Sequence, residues 1–149
     1  MAVSSICNHN VATIDPDADI AEAAERMRNE HVGDLIVARF EDARLVPHGI
    51  ITDRDIVVAV VARNVDPDTL KVGDVMSDQL LTVREDNGID FALREMRRVG
   101  VRRVPVVNSA DELVGVLSIN DVIDHLATQL GYISDIIRFG QQAEVDTRP

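Results

Sequence analysis

The stretch GIITDRDI occupies residues 49–56, and GVLSINDV occupies residues 115–122. Both run glycine, two aliphatics, a hydroxyl residue, two variable residues, an aspartate and an aliphatic. A phrase written twice in 149 residues points to an internal duplication. Shifting the chain by 69 residues lays Thr13 on Thr82. Between 13–38 and 82–107, eight of 26 pairs are then identical: Thr13/Thr82, Asp17/Asp86, Ile20/Ile89, Ala23/Ala92, Met27/Met96, Arg28/Arg97, Val32/Val101 and Val37/Val106. The two phrases align at a shift of 66, so the first copy carries three more residues before its phrase. They fall in RFEDARLVPH, residues 39–48, which reads as a longer surface loop.

The periodicity repeats as well. Short strands are predicted at 12–14 and 80–83, each followed by a polar turn. Ile20, Ala23, Ala24 and Met27, and then Ile89, Ala92, Leu93 and Met96, recur at helical spacing and mark one apolar face. Strands follow at 34–38 and 49–52, and again at 103–107 and 114–118. Helices close the copies at 54–63 and 120–130. The order is β-α-β-β-α, twice. This is an α+β chain of two pseudo-symmetric units, spanning 5–66 and 74–130, with a helical extension and disordered tail at 131–149. NVDPDTLKVGDVMS, residues 64–77, joins them. A unit this small leaves one face of its sheet bare, so the two copies are expected to pack through their sheets.

Composition narrows the function. Lys and Arg number 15 against 26 Asp and Glu, a net charge of -11, which argues against binding a nucleic-acid backbone. Aromatic residues make up 3% and Trp is absent, so the core is aliphatic. One cysteine excludes an intrachain disulfide. The N-terminus lacks a basic segment followed by an apolar run, and no apolar run reaches the ~18 residues of a membrane helix. The reading is a cytoplasmic protein without membrane or nucleic-acid partners.

In each phrase a strand ends at the hydroxyl residue and a helix begins beyond it. Thr52-x-x-Asp55 and Ser118-x-x-Asp121 fit a capping box, which satisfies the free N–H groups of a helix start. The same geometry suits a ligand: helix start and hydroxyl for a phosphate, carboxylate for a ribose diol. The duplicated unit, the twice-written phrase and VRRVPVV at 101–107 together resemble cystathionine-β-synthase (CBS) domains in tandem, the Bateman module. The resemblance covers roughly residues 5–130.

That resemblance implies a regulatory module, not an enzyme, binding AMP, ADP or ATP, with S-adenosylmethionine a further candidate, in clefts between the repeats. It implies that Asp55 and Asp121 bind ribose hydroxyls and that Thr52 and Ser118 lie near phosphates. The base is expected around Thr13 and Thr82, enclosed by Leu35, Ile36, Val104 and Pro105. Arg102 or Arg103 offsets phosphate charge. The first copy departs from the pattern, with Gly33-Asp34-Leu35-Ile36 where the second has Arg102-Arg103-Val104-Pro105. Arg54 could compensate for Asp34. Phosphate-bearing ligands are therefore expected to favour the Ser118/Asp121 site.

Other motifs carry less. Cys7-Asn8-His9 has no second pair of metal ligands and reads as a floppy N-terminal segment. Asp15, Asp17 and Asp19 lack the glycine a calcium loop needs next. No Ser/His/Asp set, HExxH or Walker loop occurs. Leu126, Leu130, Ile133 and Ile137 form an apolar stripe that either packs back on the module or pairs with a second subunit or target. The family commonly stacks two modules, so a homodimer is expected. Two functions stay open: a nucleotide sensor acting on an unknown target protein, or a structural dimerisation module with no bound nucleotide.

Overall fold

The computed structural model describes residues 1–148. The first repeat contains β1 (Thr13–Ile14), α1 (Ile20–Glu30), β2 (Asp34–Glu41), β3 (Arg44–Thr52) and α2 (Asp53–Ile56), which continues as a π-turn over Val57–Val61. A short helix, α3 (Val72–Val75), precedes the second repeat: β4 (Val83–Arg84), α4 (Ile89–Val99), β5 (Arg103–Val107), β6 (Leu113–Ser118) and α5 (Ile119–Thr147). Each repeat has its own three-stranded sheet, ordered β1-β2-β3 and β4-β5-β6. The first pair in each is parallel and the second antiparallel. This is the mixed architecture of two repeats that the phrase and its spacing predict.

Strand alternation divides the side chains between two faces. Leu35 and Val37 of β2 join Ile20, Ala23 and Met27 of α1 in one core. Val104 and Val106 of β5 join Ala92 and Met96 of α4 in a second. The opposite faces meet each other: Ile36, Ala38 and Val116 are buried between the sheets, with Ile50 and Leu113 packed against them. Each sheet is covered by helices on one side and by the other sheet on the reverse.

The segments leading into the repeats are exchanged. Val3 is fully buried in the core of the second repeat, and its equivalent Val72 is fully buried in the core of the first. The hydrogen bonds repeat the pattern. Val3 N donates to Asn87 O at 2.8 Å and Val72 N to Ala18 O at 2.8 Å. Asn8 and Val116 exchange backbone bonds at 2.9 Å, as Ser77 and Ile50 do at 3.0 and 3.3 Å. The N-terminal segment, expected to be floppy, is thus an ordered arm. Half of the expected linker is the arm of the other repeat.

These arms explain the glycine that opens each phrase. A Cβ on Gly115 would lie 2.8 Å from Cys7 Sγ and 3.1 Å from Asn8 O. A Cβ on Gly49 would lie 2.5 Å from Ser77 O and 2.8 Å from Met76 Sδ. Only a residue without a side chain lets the arm's backbone pair so closely with the strand.

Two expectations change. The three additional residues of the first copy lengthen β2 and β3 rather than a loop. The strands close on a two-residue turn in which Asp42 (φ 49°) and Ala43 (φ 64°) are both left-handed. The last helix continues beyond 130. It passes Gly131 and Gly140 and runs to Thr147, so residues 144–147, expected to be disordered, are helical.

Candidate functional site

Two clefts lie between the repeats, and each is built from both of them. The larger, about 670 Å³, combines Ser118 and Asp121 with Asn8, Asn10, Val11, Ala12, Val32 and Ile36. The smaller, about 310 Å³, combines Thr52 and Asp55 with Ser77, Gln79, Leu80, Leu81 and Val101. The linings correspond position by position: Asn8 to Ser77, Asn10 to Gln79, Val11 to Leu80, Ala12 to Leu81, Val32 to Val101. One repeat supplies the phrase, and the other supplies the apolar wall and the end of the arm.

The phrase residues make the capping box in both repeats. Asp121 Oδ2 accepts from Ser118 N at 2.7 Å and from Ser118 Oγ at 2.6 Å, while Asp121 N donates to Ser118 Oγ at 3.2 Å. Asp55 Oδ2 accepts from Thr52 N at 2.9 Å, and Asp55 N donates to Thr52 Oγ1 at 3.1 Å. Each cap uses one carboxylate oxygen. The other, Oδ1, makes no protein hydrogen bond among the described residues. Capping and ligand binding are therefore not alternatives: Oδ2 holds the helix start and orients Oδ1, an acceptor suited to a hydroxyl donor.

Six of the sequence-predicted residues line the two clefts at or beside the phrases: Thr52, Asp55, Arg102 and Arg103 in the smaller, and Arg103, Ser118 and Asp121 in the larger. Ile36 also lines the larger cleft. The structure places the others elsewhere. Leu35 and Val104 are fully buried in the repeat cores, because alternation turns them away from their neighbours Asp34 and Arg103. Pro105 is fully buried. Thr13 pairs with β2, Thr82 is exposed just before β4, and Arg54 is exposed on α2. Sequence reasoning missed Asn8, Asn10, Ser77 and Gln79. Carrying the 69-residue shift back to the N-terminus would have paired them.

The charges correct a further expectation. Asp34 and Arg103 do not each mark their own cleft. Arg103 Nη1 donates to Asp34 Oδ1 at 2.5 Å, and both residues border both clefts. The remaining cation of the larger cleft, Arg26, is paired with Glu30 at 2.7 Å. Arg102, in the smaller cleft, forms no ion pair among the described residues. Its equivalent in the first repeat is Gly33, which brings no side chain.

Cys7 is a buried residue of the arm itself and lines neither cleft. Its thiol is free, and burial raises its pKa above the ordinary 9.0. His9 Nδ1 is 2.9 Å from Val114 O and its Nε2 is 3.2 Å from Ser4 O. No group of three or more His, Cys, Asp or Glu side chains is placed to hold a metal ion among the described residues. Among the described residues, no helix is long and apolar enough to cross a membrane.

A duplicated mixed unit with two related clefts between its halves defines a tandem-repeat module. The family model of the CBS domain matches residues 3–62 and 72–128, and the chain belongs to the CBS domain family. Hypoxic response protein 1 of Mycobacterium tuberculosis is 36% identical over 121 residues, which cover 81% of this chain and 82% of that protein. A solved structure of Hypoxic Response Protein I, with two coordinated zinc ions, superposes with a TM-score of 0.73. A CBS domain protein from Pyrobaculum aerophilum complexed with AMP has a TM-score of 0.73 at 29% identity, covering 86% of this chain and 99% of that one. A CBS domain pair in complex with 5-methylthioadenosine and S-adenosyl-L-methionine has a TM-score of 0.72 at 26% identity, covering 87% and 98%. A hexameric CBS-CP12 protein from bloom-forming cyanobacteria has a TM-score of 0.70 at 29% identity, covering 83% and 69%. The chain spans 61% of the length of a Methanopyrus kandleri protein to which it is 32% identical.

Proposed function

We propose that this chain is a regulatory module that takes adenosine-type ligands in its two clefts and passes their presence to a partner protein. The observation that carries the reading is the free Oδ1 of Asp55 and of Asp121. Each aspartate is held by its cap and lines a cleft whose other wall comes from the opposite repeat. A ribose diol bound there would tie the two repeats together. The AMP, 5-methylthioadenosine and S-adenosyl-L-methionine complexes of related CBS proteins support the ligand class. Among the described residues neither cleft is lined by a His, Cys or Lys, and the Ser118 and Thr52 hydroxyls are engaged in their helix caps, so the reading is binding without catalysis.

A ligand that binds only the folded chain raises its melting temperature by mass action, about 2.7 kcal/mol at a hundred times Kd. A thermal-shift series with adenosine, AMP, ADP, ATP and S-adenosylmethionine therefore tests the proposal. A shift with at least one is expected. No shift with any of them at millimolar concentration overturns it.

A second reading, a dimerisation module, has its own observation. Val57, Val58 and Val61 beside α2, and Ile123, Leu126, Leu130, Ile133 and Ile137 on α5, are all at least half exposed. Faces like these suit an isologous homodimer. The two readings are compatible. Light scattering across a wide concentration range is expected to give about twice the 16.4 kDa chain mass; the chain mass throughout, or a hexamer, rejects the dimer.

A further inference from the structure

The clefts share the Asp34–Arg103 pair and the cap geometry, and they differ in what lies beside that pair. The smaller cleft has Arg102, while the larger has Gly33 at the equivalent position. We propose that the two clefts sort adenosine-type ligands by charge. The Asp55 cleft takes a phosphate-bearing ligand. The Asp121 cleft takes one without phosphate, neutral or carrying a cationic sulfonium. This rests on the adenosine-binding function proposed above, and it reverses the preference expected from sequence.

The charge balance carries the argument. Asp34 and Arg103 border both clefts and hold each other, so they favour neither. Arg26 and Glu30 cancel in the same way at the larger cleft. That leaves Asp121 as the unopposed charge there. In the smaller cleft the carboxylate of Asp55 is matched by Arg102, whose guanidinium is free to meet an anion. The walls of that cleft, Ile50, Leu80, Leu81 and Val101, are apolar. They exclude water and strengthen a cation's hold on a phosphate. In a chain of net charge -11 an anion is repelled at long range, so a local unpaired cation decides where it binds. Arg102 also borders a shallow recess at the start of α5, formed with Ser118 and Asn120. The test therefore has to show which cleft it serves.

The full chain is titrated calorimetrically with adenosine, AMP and S-adenosylmethionine, as wild type and as Arg102→Gly, Arg102→Lys, Asp55→Ala and Asp121→Ala. Circular dichroism checks the fold; if an alanine variant unfolds, the corresponding Asp→Asn variant replaces it. Arg102→Gly is expected to weaken AMP about tenfold, the effect of one charged contact, and leave adenosine within about twofold. Arg102→Lys keeps most of the AMP affinity. The loss vanishes in the Asp55→Ala background and persists in the Asp121→Ala background. S-adenosylmethionine binding survives Asp55→Ala and is lost in Asp121→Ala. Equal AMP affinity in wild type and Arg102→Gly, or an AMP loss that persists without Asp55, overturns the sorting while leaving adenosine binding intact. If none of the three ligands binds the wild type, the adenosine-binding reading falls and the sorting with it.

Discussion

Asp34 and Arg103 occupy equivalent positions in the two repeats, yet they hold each other, with Arg103 Nη1 2.5 Å from Asp34 Oδ1. Each stands opposite the hydroxyl of its own phrase, Asp34 across from Thr52 and Arg103 across from Ser118. The pair thus ties the rims of the two clefts. Its side chains are 22% and 35% exposed, so solvent screens it only in part. Arg103→Ala or Asp34→Ala is expected to destabilise the chain by about 1 kcal/mol, between exposed and buried pairs. The double variant should lose less than the two singles combined. Urea unfolding of the four chains gives the coupling, and strict additivity would show the contact to be energetically silent.

Gly115→Ala should dislodge the N-terminal arm. Its Cβ would meet Cys7 Sγ at 2.8 Å and the Asn8 carbonyl at 3.1 Å, and backbone cannot yield as a side chain can. Overpacking of this kind costs roughly 1–3 kcal/mol. The Gly115→Ala/Cys7→Ala chain should recover part of the loss, since it removes the closer contact. Denaturant midpoints of the wild type and the two variants check both statements.

Ala43→Gly should stabilise the first hairpin. Ala43 is left-handed at φ 64°, where an L side chain costs about 1 kcal/mol. Glycine avoids that strain but brings a more flexible unfolded chain. The net expectation is a gain of about 0.5 kcal/mol, read as a higher urea midpoint with an unchanged slope.

Cys7 makes stability fall at alkaline pH. Burial raises its pKa in the folded chain above the ordinary 9.0, so the folded state holds the proton where the unfolded chain releases it. The contribution is complete below pH 9.0 and is lost as pH climbs through the folded-state value. Cys7→Ser should flatten that part of the stability–pH curve. Iodoacetamide at pH 8 should label native Cys7 more slowly than the urea-unfolded chain.

The sequence carried the repeat because eight identities and two helical periodicities survive between its copies. It also carried the capping boxes, which need only four consecutive residues each. It did not show the arms. Between residues 2–12 and 71–81 only Val3 and Val72 are identical, and no periodicity spans so short a segment. Nor did it show which repeat completes which cleft, since that is a matter of packing between units. Leu35 and Val104 went astray for a simpler reason: neighbours on a strand face opposite ways, so Asp34 and Leu35 cannot serve one cleft. Residues 144–147 were misjudged because their polar composition was read as disorder, whereas a helix already formed adds each further residue without a new nucleation cost.

The exchanged arms also set how the halves depend on each other. A single repeat with its own arm would have to lend that arm to another molecule and borrow one in return. Its core would then close only above some threshold concentration. Joining two copies in one polypeptide makes that trade intramolecular and sets the effective concentration by the tether. Cut between Asn64 and Lys71, each fragment would keep the arm that belongs in the other's core. The two pieces should fold together when mixed and poorly apart.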